Sequence, residues 1–295
     1  MKIALGPLQY YWSKDQVFQF YGNMADSSVD IFYLGETVCS RRHELRLEDW
    51  MDIANMLVNE GKKVVLSTQV LLETALDSRT MAKITDQENY LVEANDIGAV
   101  NRMQGRCFVA GPFVNIYNVP MLNLMHRQGA VRWVMPLEMS KESLAVLQAG
   151  RPEGMQTEVF VYGRMPLAFS ARCFTARNRN LPKNNCQYVC MDHPDGLLLE
   201  TQEKQPFLVI NGIQTQSALV YNLISEVGTM RSMGVDVLRI SPQANHTNHI
   251  VELFHQVING YIDSDSAMCL MKNFMPADPC NGYWHGRPGL EQMVA

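Results

Sequence analysis

The sequence predicts an α/β fold, a TIM-like (β/α) barrel whose seventh strand is followed by an insertion. Three observations predict it. Short β-branched runs alternate with amphipathic helical stretches. The early strand starts lie roughly 25 to 33 residues apart, the length of one βα unit. No Pro-, Gly- or Ser-rich linker interrupts the 295 residues, so the chain reads as one domain, 1–295. Strands that feed crossover helices this regularly build a parallel sheet, and eight such units close into a barrel. A doubly wound open sheet is the alternative.

Residues 2–6 (Lys-Ile-Ala-Leu-Gly) read as the first strand. Ser13 then caps a helix whose apolar face is Val17, Phe20, Tyr21 and Met24, an i, i+3, i+4, i+7 pattern. Residues 30–34 form strand two and end at Gly35. Trp50, Ile53, Ala54, Leu57 and Val58 make the next helical stripe, which stops at Gly61, and 63–67 form strand three. Further strand candidates are 90–93, 107–110, 131–135, 157–162, 206–210 and 236–240. That makes nine candidates for an eight-stranded barrel, and the rhythm breaks at about 173–205. This segment reads as the insertion, with His193-Pro194-Asp195-Gly196 as a turn inside it.

Composition bounds the function. Hydrophobic residues make up 47% and charged residues 19%, which suits a folded globular chain. A net charge of −5 argues against a general nucleic-acid binder, which needs a basic footprint to neutralise phosphates. The first residues lack a long apolar core and a small-residue cleavage site, and no apolar run approaches the ~20 residues needed to span a bilayer. The expectation is a cytoplasmic protein. The 19 methionines read chiefly as adaptable core filler.

The cysteines carry the chemical signal. Seven thiols without a secretory signal do not read as a disulfide framework. Cys173, Cys186 and Cys190 lie in a polar segment at spacing C-x12-C-x3-C. A structural cysteine normally sits singly on an apolar stripe, so these three need another reason to converge. Ligation of a soft metal centre supplies one. A closed site needs a fourth ligand, and Cys39, just past strand two, would open on the same barrel face. An ordinary loop thiol is the alternative there, and Cys280 competes for the position. Cys107 and Cys269 read as packing residues. Four-thiolate zinc sites usually combine two short C-x2–4-C knuckles, whereas this chain has one. Iron–sulfur clusters accept less regular spacings, which tilts the expectation to iron.

Other motifs are weaker. Glu36 with Arg41 and Arg42 suits an anionic ligand or an ion-pair cluster. His246 and His249 fit a polar helix start better than a metal pair. The sequence holds no G-x-G-x-x-G, Walker A or G-x-S-x-G motif.

The stretch Glu158-Val-Phe-Val-Tyr-Gly-Arg-Met-Pro-Leu-Ala-Phe-Ser-Ala-Arg-Cys173-Phe-Thr-Ala-Arg177 resembles the core segment of the peptidase U32 family. Further matches are Tyr33-Leu-Gly-Glu-Thr-Val-Cys39-Ser-Arg-Arg42, Arg132-Trp-Val-Met-Pro136, Leu208-Val-Ile-Asn-Gly-Ile-Gln-Thr215 and Cys280-Asn-Gly-Tyr-Trp284. They run from one end of the chain to the other and most resemble the branch that serves oxygen-independent ubiquinone biosynthesis. That resemblance implies a [4Fe–4S] cluster on Cys39, Cys173, Cys186 and Cys190. It implies a heterodimer with a UbiU-like protein and a UbiT-like lipid-binding accessory protein. It also implies hydroxylation of a quinone precursor without O2, with prephenate as oxygen source. Glu36, Arg41, Arg42, Arg172 and Arg177 are the candidate substrate-binding residues. Relatives that hydroxylate RNA bases give the alternative activity, and a metal-stapled binding protein without catalysis gives another. The word "peptidase" is inherited, since no protease nucleophile stands out.

Overall fold

The structure is a computed structural model and describes residues 1–293. Strands and helices alternate from the start: β1 (Lys2–Leu5), α1 (Lys14–Ala25), β2 (Ile31–Leu34), α2 (Leu47–Asn59), β3 (Lys63–Ser67), α3 (Ala75–Asp86), β4 (Leu91–Ala94) and α4 (Ile97–Arg102). They continue through β5 (Phe108–Ala110), α5 (Val119–Gln128), β6 (Ala130–Val134), α6 (Lys141–Ala149) and β7 (Gln156–Phe169). Beyond β7 come α7 (Phe174–Asn178), β8 (Leu197–Glu200), β9 (Pro206–Asn211) and β10 (Gln214–Asn222). The chain finishes with α8 (Val227–Ser232), β11 (Val237–Ile240), α9 (Thr247–Asn259), α10 (Ser264–Met271) and β12 (Pro279–Cys280).

Strands β1 to β7 pair in order and in parallel, and β11 closes the ring. Val237 in β11 is opposite Lys2 on one side and Glu158 on the other. The result is a closed eight-stranded parallel barrel wrapped by helices, as the sequence predicts. The ninth candidate, 206–210, is β9 and lies outside the ring.

Local signals act as expected where they are strongest. Ser13 and Gln16 form the capping box of α1, which buries Val17, Tyr21 and Met24. In α2 Trp50, Ile53, Ala54 and Leu57 are buried, but Val58 is exposed, one position past the inward stripe. Cys107 precedes β5 and is exposed, and Cys269 sits on the exposed side of α10. Neither packs in the core, contrary to the sequence reading.

Inside the barrel, side chains alternate in and out along each strand. Ala4, Ile31, Tyr33, Val65, Val109, Val134 and Val237 form one buried interior cluster. Interleaved with it at inward positions are four charged side chains, Glu93, Arg132, Glu158 and Arg239.

Strand β7 explains how the insertion starts. Its first half completes the barrel, and its second half runs past the mouth and pairs antiparallel with β10, from Tyr162↔Asn222 to Phe169↔Gln214. Gly163 stands at the changeover with φ +133, and a Cβ there would lie 2.5 Å from the Ser241 side chain. Only glycine fits both demands. Strands β8, β9 and β10 then extend this arm as an antiparallel sheet.

Candidate metal centre and barrel-mouth cavity

The loop after β2 opens at Gly35, whose φ of +127 and whose 2.8 Å approach of a built Cβ to Ser67 O exclude a side chain. Glu36 then folds back over the loop. Its Oε1 accepts the N–H groups of Val38 at 2.8 Å and Cys39 at 2.9 Å, which fixes the Cys39 backbone. Burial pushes the Glu36 carboxyl up, against the downward pull of Arg42 and these two N–H groups.

Cys39 and Cys173 pack with Val38, Ala176 and Ile213 in one small buried group, and Cys186 borders it. Cys190 joins by lying near Arg42 and Cys173, whose charges it feels. The fold therefore gathers Cys39 with the trio 173, 186 and 190. Cys280 packs instead in the main core, opposite Tyr221.

Each thiol position has a local cause. Cys173 is the N-cap of α7, and its Sγ accepts the Ala176 N–H at 3.4 Å. Cys186 ends a 3-10 turn over Lys183–Asn185, and Cys190 lies inside another over Val189–Asp192. Between them Gln187 and Tyr188 both take left-handed conformations, with φ of 50° and 54°. Two consecutive non-glycine residues there are costly, and such strain collects at functional sites.

Arg42 is the cation of the group. It is 5% exposed and donates to Gln9 O at 2.6 Å and to Asn211 Oδ1 at 2.6 Å. Glu36 lies 3.7 Å away. Burial works against its charge, but Glu36, Cys190 and Cys39 outweigh it and hold Arg42 protonated. Arg41 reaches Asn184 O at 3.2 Å. Arg42 and Arg41 thus fasten the cysteine loops together. Arg172 and Arg177 point to solvent beside α7.

The donor chemistry fits a cationic, sulfur-loving group. Burial pushes the Cys39 thiol up to about 11 and raises Cys190 as well. The protein alone keeps both as thiols, and the charge of a bound cation would favour the thiolate form. Among the described residues, no three His, Cys, Asp or Glu side chains close to the spacing of a single ion. A lone zinc holds its thiolates at about 2.3 Å, hence all within about 4 Å of each other. A polynuclear iron–sulfur cluster would instead spread four thiolates over separate irons. The Ala176 N–H directed at Cys173 sulfur is the usual kind of contact that tunes such a centre.

A cavity of about 230 Å³ adjoins this group at the C-terminal mouth of the barrel. Phe169 belongs to both: it packs on the cysteine group and lines the cavity. Phe113 meets Phe169 edge-on at 5.0 Å between ring centroids. Glu93 and Arg239 form part of the floor.

Below that floor runs an ion-pair network that sequence reasoning missed. Arg239 Nε lies 2.6 Å from Glu158 Oε1 and its Nη1 lies 2.8 Å from Glu93 Oε1. Tyr33 donates to Glu158 at 2.5 Å and receives Arg132 at 3.0 Å. The signal was available: Leu-Val-Glu-Ala and Val-Leu-Arg-Ile each carry a charge inside an apolar strand, at an inward position. The two histidines are less eventful. His246 caps α9, and both rings pack on Phe274.

The sequence profile described as Peptidase family U32 matches residues 14–293. A protein of Bacillus subtilis (strain 168) named tRNA hydroxylation protein P1 is 22% identical over 268 residues, 79% of this chain and 60% of that protein. The chain thus spans less than two thirds of that relative's length. Among solved structures, the U32 peptidase Mk0906 aligns with a TM-score of 0.46 and 10% identity, over 82% of this chain and 93% of its own. The Bacillus megaterium QM B1551 spore cortex-lytic enzyme SleL aligns with a TM-score of 0.42 and 8% identity, over 86% and 74%.

Proposed function

The chain belongs to peptidase family U32, and on that premise we propose that it is a UbiV-like, [4Fe–4S]-carrying subunit of an oxygen-independent hydroxylation system. Its substrate is the ring of a ubiquinone precursor and prephenate is the oxygen donor. It works in the cytoplasm as a heterodimer with a UbiU-like protein, assisted by a UbiT-like lipid-binding protein. The observation that carries this reading is the convergence of Cys39 with Cys173, Cys186 and Cys190 beside an aromatic cavity.

When bound, the cluster supplies one-electron transfer, since four thiolates leave no iron open to substrate. The chain's own residues do the rest. Glu36 and Arg42 hold the Cys39 loop against the insertion. Phe113 and Phe169 close the cavity against water on the side facing the cysteines. Peptide hydrolysis lacks support: the cavity lining contains no histidine and no cysteine, so no nucleophile there is paired with an imidazole base.

Hydroxylation of an RNA base is the second reading, favoured by the name of the Bacillus subtilis relative. The net charge of −5 counts against it.

Two measurements test the proposal. Anaerobic purification should yield a brown protein with about four irons and four sulfides per chain; a colourless, zinc-loaded protein rejects it. Cells carrying Cys173→Ala should fail to accumulate ubiquinone without oxygen. Normal accumulation would make the cluster dispensable and sink the catalytic role.

A further inference from the structure

We infer that the surface around the four cysteines is the docking face for an acidic one-electron carrier protein, steered there by Arg41, Arg172 and Arg177. The inference rests on reading the cysteines as a redox centre, and it adds the partner that exchanges electrons with them.

Charge sets this region apart from the rest of the chain. Residues 159–191 hold five lysines and arginines and no acid. The other 20 basic residues are set against all 30 of the chain's Asp and Glu. Within the stretch Lys183 is paired with Glu73 and Arg179 with Asp192. Arg172 and Arg177 are exposed, and among the described residues they make no ion pair. Arg41 makes none either, and its bond to Asn184 O holds it where the Cys39 loop meets the insertion.

All three stand close in the chain to a cysteine. Arg41 is two residues beyond Cys39, and Arg172 precedes Cys173. Arg177 follows Cys173 by one helical turn, its N–H donating to the Cys173 carbonyl at 3.1 Å. Two aromatic rings share these positions. Phe174, next to Cys173, is 39% exposed, and Tyr188, between Cys186 and Cys190, is 42% exposed. Exposed arginine beside exposed aromatic is the side-chain mixture enriched where proteins dock.

Position decides what docks. None of the three arginines lines the mouth cavity, so they do not hold a small substrate there. They meet a partner that approaches the cysteines from outside, where the available chemistry is electron exchange. One electron leaves the reduced carrier and reduces the sulfur-ligated iron; no bond breaks and no proton moves. Electron-transfer encounters bury little surface, which suits a patch of three cations and two rings. Opposite charge then speeds the approach. A nucleic acid fits less well. Strong duplex binders neutralise about 6–10 phosphates, and beyond these cations a polyanion would run onto a surface where acids outnumber bases.

Biolayer interferometry on the anaerobically purified chain provides the test. The probes are an acidic [2Fe–2S] ferredoxin and an acidic flavodoxin, both oxidised, with basic cytochrome c and mixed transfer RNA as comparisons. At least one acidic carrier should bind, about tenfold or more tighter than cytochrome c, with Kd rising about tenfold between roughly 50 and 300 mM NaCl. The double variant Arg172→Glu/Arg177→Glu should weaken carrier binding at least about tenfold, since like charges then face each other. Lys83→Glu/Arg127→Glu makes the same charge change in the last turns of α3 and α5, at the opposite end of the barrel, and should change Kd by less than about twofold. Should the first variant lose iron, Arg172→Gln/Arg177→Gln removes the two charges without reversing them and should weaken binding about threefold or more. Absence of binding by both carriers, equal binding of cytochrome c, carrier binding unmoved by the patch variants, equal loss in the control variant, or tighter binding of transfer RNA that the patch variants abolish would each overturn the assignment. A brown protein that binds neither carrier loses this inference alone. A colourless protein, or normal ubiquinone in Cys173→Ala cells, loses the reading beneath it whatever the carriers do.

Discussion

The barrel and the cysteine insertion are built on opposite principles. Every barrel strand is paired on both sides, and the charges buried within it are neutralised by other barrel residues. The insertion has no such interior. In residues 173–196 only Cys173, Thr175 and Ala176 are buried, and the regular structure is one five-residue helix and two 3-10 turns. Side chains tie it down from outside: Trp12 donates to Pro194 O at 2.8 Å, Asp195 accepts the Ala244 N–H at 2.7 Å, and Lys183 pairs with Glu73. A segment with little apolar burial cannot offset its ordering entropy unaided. The difference teaches that the barrel carries its own buried core, whereas the insertion is ordered by contacts made to its edges.

The sharpest way to break that comparison is to remove one thiolate. Cys186→Ala should leave the melting of the barrel nearly unchanged and raise amide exchange across 173–196 by about two orders of magnitude or more, as expected for a region reduced to local opening. Equal protection with and without the cysteine would show that the insertion has a stability of its own. The converse test lies inside the barrel. Tyr33→Phe removes the donor to Glu158 and should cost about 2 kcal/mol in urea unfolding, the usual value for a buried bond to a charged group. Iron content of the folded variant should stay at the native level, since the network touches no cysteine. A loss of iron would show that the two regions are coupled.

The contrast also explains what was legible beforehand. The eight barrel strands were readable because period-2 runs and their βα spacing are local properties. β8 and β10 were not: β10 reads Gln-Thr-Gln-Ser-Ala-Leu-Val-Tyr-Asn, with four polar residues leading, and is a strand because β7 overruns the barrel to pair with it. Cys39 was weakly legible, since no spacing rule links it to a trio more than 130 residues away; only the barrel topology does. Arg42 was read with Glu36 as an anionic-ligand site or an ion-pair cluster, and the structure pairs it with Glu36 and buries it against Gln9 and Asn211. That role depends on β9 and the insertion arriving at one place, which no local pattern encodes. Cys107 misled because a thiol next to Phe-Val-Ala looks inward by periodicity, while β5 starts one residue later.

The smallest expected effect refines the boundary between the two regions. Asp77 occupies the third position of α3 and completes a capping box with Thr74, its Oδ2 accepting the N–H groups of Glu73 and Thr74 at 2.9 Å each. Burial raises its pKa, but these hydrogen bonds, with those from the Thr74 and Ser40 side chains, outweigh it and hold the carboxyl below the usual value. A carboxyl depressed in the folded state stabilises it above the unfolded pKa of about 3.9, and the contribution is lost as pH falls through the folded value. The neighbouring Glu73 is the residue that grips Lys183, so the capping box secures one anchor of the insertion. The comparison is best made in a Cys173→Ala background, where acid loss of a cluster contributes nothing. There, urea unfolding between pH 7 and pH 2 should fall more steeply for Asp77 than for Asp77→Asn, with the curves converging at the acid end. Parallel curves would mean that Asp77 titrates alike in both states and that the anchor is held by Lys183 alone.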